Sequence, residues 1–289
     1  MRIAPTRDDM IALTPLWTGE RFDDGRPRVP DEVLEELRQA TTEEAWGTML
    51  HAGYPRQFAS PWLQTHPGTI TVGRAITAQF VPHRPDLDAV VVEAGAAEGH
   101  EEGDRQNSWV IEALEENDIM GVDIFGKVIE GTVIGDNLGT AVASRTKVGA
   151  VINGGVRDLQ GLVELEGGVN FFYRGADPTP IRNVTLAGIN LVIRIDEATV
   201  LPGDVVLGTM TGVSFIPAHL AGEVATQSAE TRTRDVFGKR RLSERIYTSA
   251  QIDVGVWADD IQSDYDAWKA ERAAAAEATA AVAAQQAEA

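Results

Sequence analysis

The sequence predicts an α/β domain with extensions at both ends, and three observations carry that prediction. Strands near 119–125, 128–134 and 148–153, with a helix over "NLGTAVASRTK" between the last two, have the spacing of a parallel crossover unit. Short β-branched and aromatic runs continue to about residue 217. From His219 onward the composition turns to helix formers. The expected divisions are an N-terminal arm over 1–30, an α/β domain over 31–230 and a helical extension over 231–289.

The arm is rich in Pro, Asp and Arg and reads as irregular. "PDEVLEELRQAT" places Val33, Leu34 and Leu37 at helical spacing with Asp31 as a cap, and a second short helix follows over "TEEAWGTMLHAG". "GTITVGRAITAQFV" alternates as a strand does, and "LDAVVVEAG" reads as a buried strand. A polar loop, "GHEEGDRQNSW", then precedes a helix through "VIEALEEN". Further strands fit "VNFFY", "INLVIRI", "DVVLGTM" and "VSFIP", with a turn at Pro202-Gly203. The Ala-rich end, "AWKAERAAAAEATAAVAAQQAEA", has helix propensity without apolar periodicity and reads as a solvated terminal helix.

Composition narrows the function. The chain of 289 residues carries 25 Lys and Arg against 44 Asp and Glu, a net charge of -19. That field repels nucleic acid and anionic membranes, yet one Arg in a concave site can still dominate locally and hold a small anion. There is no cysteine, which excludes disulfides, thiolate zinc sites and cysteine nucleophiles. "MRIAPTRDDMIALTPLW" interrupts the apolar run that a signal peptide needs, and no stretch approaches the ~20 apolar residues of a membrane span. The expectation is a cytoplasmic protein.

Two glycine turns carry the chemistry. "GDNLGTAVAS" follows a strand and opens a helix, with Asp136 and Asn137 as cap residues whose neighbouring amides suit a carboxylate. "INGGVRDLQG" repeats the arrangement, with Asp158 placed to cap the next helix. Either turn alone is an ordinary helix start. Two of them in consecutive units lie together at the carboxyl ends of strands, where open α/β sheets bind ligands. Arg157 then offers a planar fork for a substrate carboxylate, and Asp158 a hard oxygen for a divalent cation. An anion clamp beside such a cation is what stabilising an enolate requires.

Asp136, Arg157 and Asp158 form a D-x20-R-D motif. With "TTEEAWGTM", "VGRAITAQF", "VLPGDVV" and "GVSFIP" in order, residues 35 to 230 resemble the RraA-like family. That family holds class II 4-hydroxy-4-methyl-2-oxoglutarate aldolases and non-enzymatic regulators of ribonuclease activity, and many members were once described as demethylmenaquinone methyltransferase-like. The resemblance implies a layered α/β/α-type sandwich of the swivelling β/β/α kind, assembled as homotrimers or homohexamers with sites at subunit interfaces. It implies Mg²⁺ or Mn²⁺ on Asp158, the substrate carboxylate and enolate charge on Arg157, and water ordered by Asp136. It places Gly135 and the amides of Asn137 and Leu138 around the carboxylate, and Glu44 as a residue reaching in from an adjacent subunit. The implied activity is a lyase: a pyruvate-type aldolase on 4-hydroxy-2-oxo acids, with oxaloacetate decarboxylase activity. The alternatives are dehydration of a sugar acid at the same metal site, or protein-binding regulation of RNA degradation. Residues 83 to 116 and the region beyond 230 look longer than in short family members, which bears on the substrate.

Other candidates are weaker. The histidines, His51, His66, His83, His100 and His219, form no pair with metal-ligand spacing, and His100 reads as part of a solvated loop. Lys127 and Lys147 sit at a turn and a helix end, without the burial a Schiff-base lysine needs. Neither a G-x-G-x-x-G fingerprint nor a G-x-S-x-G elbow occurs. "KRRLSER" reads as a helix face paired with acidic neighbours.

Overall fold

Two reading periods dominate the chain, a strand period of two and a helix period of 3.6, and the architecture follows from where each applies. The computed structural model describes residues 1–100 and 106–287, so part of the expected polar loop lies outside the described residues. It forms two compact units, Met1–Ser228 and Ala229–Ala289. In the first unit the helices α1 (Arg7–Leu13), α2 (Asp31–Leu37) and α3 (Thr42–His51) lead into β1 (Phe58–Ala59), β2 (Leu63–Gln64) and β3 (Thr71–Pro82). There follow α4 (Pro85–Ala97), α5 (Gln106–Glu112), β4 (Asp118–Asp123), β5 (Thr132–Ile134), α6 (Asp136–Thr146), β6 (Gly149–Val156), α7 (Leu159–Val163) and β7 (Asn170–Ala176). The strands β8 (Val184–Ile189), β9 (Ile193–Ile195), β10 (Ala198–Val200), β11 (Val205–Gly208) and β12 (Val213–Ile216) complete the unit before α8 (Ala221–Ser243). Helix α8 continues into the second unit, which also holds α9 (Ser249–Ile252) and α10 (Asp259–Ala287).

The main sheet runs β1-β12-β11-β3-β4-β6-β7-β2, with β5 paired to β6 and β8 to β3. Strands β3, β4, β6 and β7 are mutually parallel, and β5 is parallel to β6. Such strands are buried on both faces. Accordingly Met120, Val122, Ala150, Ile152, Phe171 and Tyr173 face a core with Val91 of α4, Trp109 of α5, Val142 of α6 and Leu162 of α7. The alternate residues Ile119, Val151 and Phe172 point the other way, onto Val206, Phe215 and the β9–β10 hairpin. A third core joins Leu34 and Leu37 of α2 and Met49 of α3 to Val72, Val205 and Ile216. The result is a mixed α/β domain, as the sequence predicts.

The helix expected through "VIEALEEN" runs instead over Gln106–Glu112 and takes in the end of the expected polar loop. Four other local expectations fail for identifiable reasons. "LDAVVVEAG" is helical, not a strand: Pro85 stands at the first helical position, and Leu87, Val91 and Ala94 fall on one face at helical spacing. A four-residue apolar run satisfies either period, so the run alone misleads. "INLVIRI" is broken at Asn190, which takes a left-handed φ of 57° and separates β8 from β9. The strand expected over 128–134 shortens to β5, because 124–131 is a turn anchored by the Lys127 ammonium on the Ile129 and Arg182 carbonyls. The arm is not wholly irregular, since Thr6 and Asp9 form a capping box that starts α1.

That arm is bound to the sheet by buried charge. Arg26, 1 % exposed, donates to Asp24 at 2.7 Å and to Asp118 of β4 at 3.3 Å, while Arg74 of β3 donates to Asp31 and to the Val29 carbonyl, each at 2.7 Å. The Arg26 guanidinium also lies 4.4 Å from the Phe22 ring. In the second unit Phe237, Trp257, Ile261 and Trp268 form the core, and the "KRRLSER" arginines pair with Glu244 and Asp264. Among the described residues no helix is long and apolar enough to cross a membrane. Arg26→Ala is expected to destabilise the folded chain by about 3–5 kcal/mol, because it leaves the Asp118 carboxylate buried without its partner. Chemical denaturation reads this directly, and a loss below about 1 kcal/mol would show the pair to be energetically idle.

Candidate functional site

The parallel pairing of β5 with β6 brings the two glycine turns side by side, for the Arg157 amide donates to the Ile134 carbonyl at 2.9 Å. Each chain leaves its strand there and enters a helix. Gly135 is the N-cap of α6 and Asp136 its first helical residue, so the capping position lies one residue earlier than the sequence suggests. Gly135 has no side chain to cap with, and the Asp136 carboxylate instead accepts from the Asn137 amide at 2.7 Å. One of the two amides expected to line a carboxylate pocket is therefore occupied by the chain's own acid. Asn137 is exposed and Leu138 half-buried at the same helix start.

Asp158 is one of nine non-glycine residues among those described with a positive φ. It stands at the N-cap of α7 with φ 50° and ψ 42°, in the left-handed region, and its side chain makes no capping bond. A non-glycine residue there carries strain of about 1 kcal/mol, a cost that persists where the surroundings dictate it. The conformation turns its carboxylate away from its own helix, where Oδ2 lies 3.4 Å from Nη1 of Arg157. Both side chains remain about two-fifths exposed, at 41 % and 40 %.

Two glycines make the close packing possible. A Cβ at Gly135 would stand 2.4 Å from Oδ2 of Asp158 and 3.0 Å from Cγ of Arg157. A Cβ at Gly161 would stand 2.7 Å from Cβ of Asp136. Each turn thus receives the acidic side chain of the other against a bare α-carbon. Asp136, Arg157 and Asp158 are brought together at the carboxyl ends of β5 and β6, with Gly135 between them.

Glu44 is not brought to this cluster. It is the third residue of α3, where its carboxylate accepts from the Thr41 amide at 3.1 Å and its own amide donates to Thr41 Oγ1 at 3.2 Å. Helix α3 packs on β12, four strands from β6 in the sheet order β12-β11-β3-β4-β6. Among the described residues no cluster of three or more His, Asp or Glu forms a ready cation cage. The donor set at the turns nevertheless fits a magnesium-like ion, which takes one or two carboxylates and keeps several waters. Asp158 offers that carboxylate, uncapped and open to solvent.

Lys127 and Lys147 are engaged by their surroundings, whereas His100 is half-buried rather than solvated as expected. Lys147 is exposed and paired with Glu116, and the Lys127 ammonium is engaged with two carbonyls and Glu130. The His100 ring stacks on Trp109 with centroids 4.9 Å apart.

The model of the RraA-like family, described as Aldolase/RraA, matches residues 39–215. The chain belongs to the RraA-like family. That family includes both aldolases and inhibitors of ribonucleases. Among solved structures, one similar chain is Streptomyces coelicolor RraAS2, described as an unusual member of the RNase ES inhibitor RraA protein family. It shares 22 % identity over 74 % of this chain and 98 % of its own, with a TM-score of 0.62. An uncharacterized protein from Pseudomonas syringae pv. tomato is similar over 81 % of this chain and 98 % of its own, at 20 % identity and a TM-score of 0.66. These likenesses establish an RraA-like fold. No curated protein matches the chain.

Gly135→Ala is expected to leave folding within about 1–2 kcal/mol of wild type, since the atom in the way is the mobile end of a carboxylate and the glycine's φ of -120° suits any residue. The same change should swing the Asp158 carboxylate off Arg157. A crystal structure of the variant with Asp158 unmoved would contradict the packing described.

Proposed function

We propose that this RraA-like chain is a divalent-metal-dependent carbon–carbon lyase. Its substrates would be 4-hydroxy-2-oxo acids cleaved to pyruvate, with oxaloacetate decarboxylation through the same enolate. The observation that carries this reading is Asp158, an acid held in a strained left-handed conformation, uncapped, beside a half-exposed Arg157 and against a bare Gly135. The left-handed φ recurs at other turns of the chain, so what distinguishes Asp158 is that its carboxylate caps nothing and stands beside Arg157 over Gly135.

In this reading Arg157 clamps the substrate's carboxylate through its planar fork beside the N-terminus of α6, where Asp136 already takes the Asn137 amide. Asp158, with Asp136 nearby, would hold Mg²⁺ or Mn²⁺. When bound, the cation supplies Lewis-acid stabilisation of the enolate charge. Asp136 orders the water that accepts the 4-hydroxyl proton as the C3–C4 bond breaks and returns a proton to C3 of the enolate. In oxaloacetate the bond to the C4 carboxylate breaks instead, CO2 leaves, and the same C3 is protonated. Burial of β5 and β6 below the turns keeps these groups on rigid strand ends.

The test is an assay of purified protein on oxaloacetate and 4-hydroxy-4-methyl-2-oxoglutarate. Activity should vanish in EDTA and return with Mg²⁺ or Mn²⁺, and full turnover in excess chelator would remove the proposal. Arg157→Lys keeps the charge and loses the fork, so kcat/KM should fall by on the order of 10-fold or more, about 1.4 kcal/mol of transition-state binding. Unchanged kinetics would make Arg157 a solvated surface cation. Inactivity of well-folded, metal-supplied protein on both substrates would favour the sugar-acid or regulatory alternatives.

The position of Glu44, four strands from β6, supports a second element of the proposal: a homo-oligomer, trimer or hexamer, in which Glu44 serves a neighbouring subunit's site. A cyclic assembly brings one surface of each copy onto a different surface of the next. Co-refolding inactive Glu44→Ala with inactive Asp158→Ala chains should then regenerate sites holding both wild-type residues and recover part of the activity. Mixed oligomers that form and stay inactive would remove Glu44 from the chemistry.

A further inference from the structure

A cavity of about 460 Å³ lies away from the glycine turns, between the N-terminal arm, the segment after α3 and the Pro202–Asp204 turn. Its volume is that of a small-molecule site. Leu13, Leu16, Trp17 and Leu201 supply apolar wall. Polar groups complete the lining. The Tyr54 hydroxyl lies 3.3 Å from Nε2 of His219, and Asp204, 5 % exposed, contributes the carboxyl.

The electrostatics of this wall are one-sided. No Lys or Arg lines it, and burial pushes the His219 imidazole below its usual range, toward the neutral form. Asp204 accepts from the Leu201 amide at 2.8 Å and the Ala218 amide at 3.3 Å. A carboxylate offers about four acceptor positions, so it retains acceptor capacity beyond those two bonds. Gln57 is spent, being bound to the Thr199 and Phe215 carbonyls and the Thr199 amide. What remains is the Asp204 carboxyl, the Tyr54 hydroxyl with its His219 partner, the exposed Thr199 hydroxyl and the rings of Trp17 and Tyr54. The Arg21 guanidinium beside the arm is spent on the Thr14, Trp17 and Gly25 carbonyls and the Thr14 hydroxyl. An organic anion therefore meets no lining cation, whereas a cation meets a carboxyl and the faces of Trp17 and Tyr54.

We propose that this cavity binds a small organic ammonium ion with an aryl or alkyl body. Its nitrogen sits on Asp204 and the Tyr54 hydroxyl, and its apolar part lies against Leu13, Leu16 and Trp17. The burial of Asp204 agrees with this. Desolvation raises its carboxyl to about 7, so it is partly protonated at neutral pH, and a bound ammonium would replace that proton. The other titratable groups facing it are His219 and Tyr54. The chain's net charge of -19 draws cations toward it generally.

The probe is 2-phenylethylammonium chloride, titrated calorimetrically into full-length protein at pH 6.5, with phenylacetate and 2-phenylethanol as anionic and neutral counterparts. The amine should saturate one site per chain with a Kd on the order of 1 mM, as befits so small a ligand, and release a fraction of a proton detectable as a buffer-dependent enthalpy. Phenylacetate should not bind, and the alcohol should bind at least several-fold more weakly. Asp204→Asn should weaken the amine by 10-fold or more. Should that variant fail to fold, Thr199→Trp decides, because Thr199 is exposed at the cavity's edge and its backbone bonds to Gln57 survive the change. It should abolish binding while leaving the melting temperature unchanged. No saturation by about 10 mM, equal binding of phenylacetate, or an amine affinity indifferent to Thr199→Trp would each overturn the proposal.

Discussion

The reciprocal fit of two acids against two glycines is the constraint on which the site depends. Asp158 occupies the space a Cβ would take at Gly135, and Asp136 the space a Cβ would take at Gly161. Neither contact is possible unless β5 and β6 run parallel and end at the same level, which the Ile134–Arg157 hydrogen bond enforces. That level in turn follows from the crossover through α6, whose Val142 anchors the helix in the core under the sheet. The placement of one carboxylate therefore rests on strand pairing, helix packing and two absent side chains at once.

The strain at Asp158 makes sense in that setting. About 1 kcal/mol of backbone cost is small beside the burial that holds β6, where Ala150, Val151, Ile152 and Val156 are inaccessible to solvent. The edges of the domain are secured differently. The arm is held by Arg26 and Arg74, whose charges are desolvated but each bonded to carboxylates or carbonyls, so the arm behaves as part of the domain rather than as a tail. The same arm supplies one wall of the Asp204 cavity, which is how a segment with little secondary structure acquires chemical content.

Much of this was legible in the residues. The β5–α6–β6 unit announces itself by β-branched runs flanking "NLGTAVASRTK", and the pairing of "GDN" with "GGVRD" follows once those strands are parallel. The signals that failed were local ones with two solutions. "AVVV" fits a strand or a helix, and only Pro85 with the spacing of Leu87, Val91 and Ala94 decides for the helix. Asp136 reads as a cap because Asp is a favoured N-cap residue, but the cap position belongs to Gly135, and the Asp136 carboxylate accepts from the Asn137 amide and packs against Gly161. The left-handed φ of Asp158 and the burial of Asp204 have no sequence signature, since both are imposed by tertiary packing. "VLPGDVV" marks a turn without revealing that its acid closes a cavity.

The central claim is that Arg157 and Asp158 together form a cation-dependent clamp for an enolate-like anion. Oxalate, planar and doubly charged, mimics the pyruvate enolate, and its calorimetric titration tests the clamp without requiring turnover. Oxalate should bind wild-type protein with Mg²⁺ present at least about 100-fold more tightly than in EDTA, and Asp158→Asn should remove the difference. Oxalate binding that is indifferent to Mg²⁺, or a cation effect that survives Asp158→Asn, would contradict it.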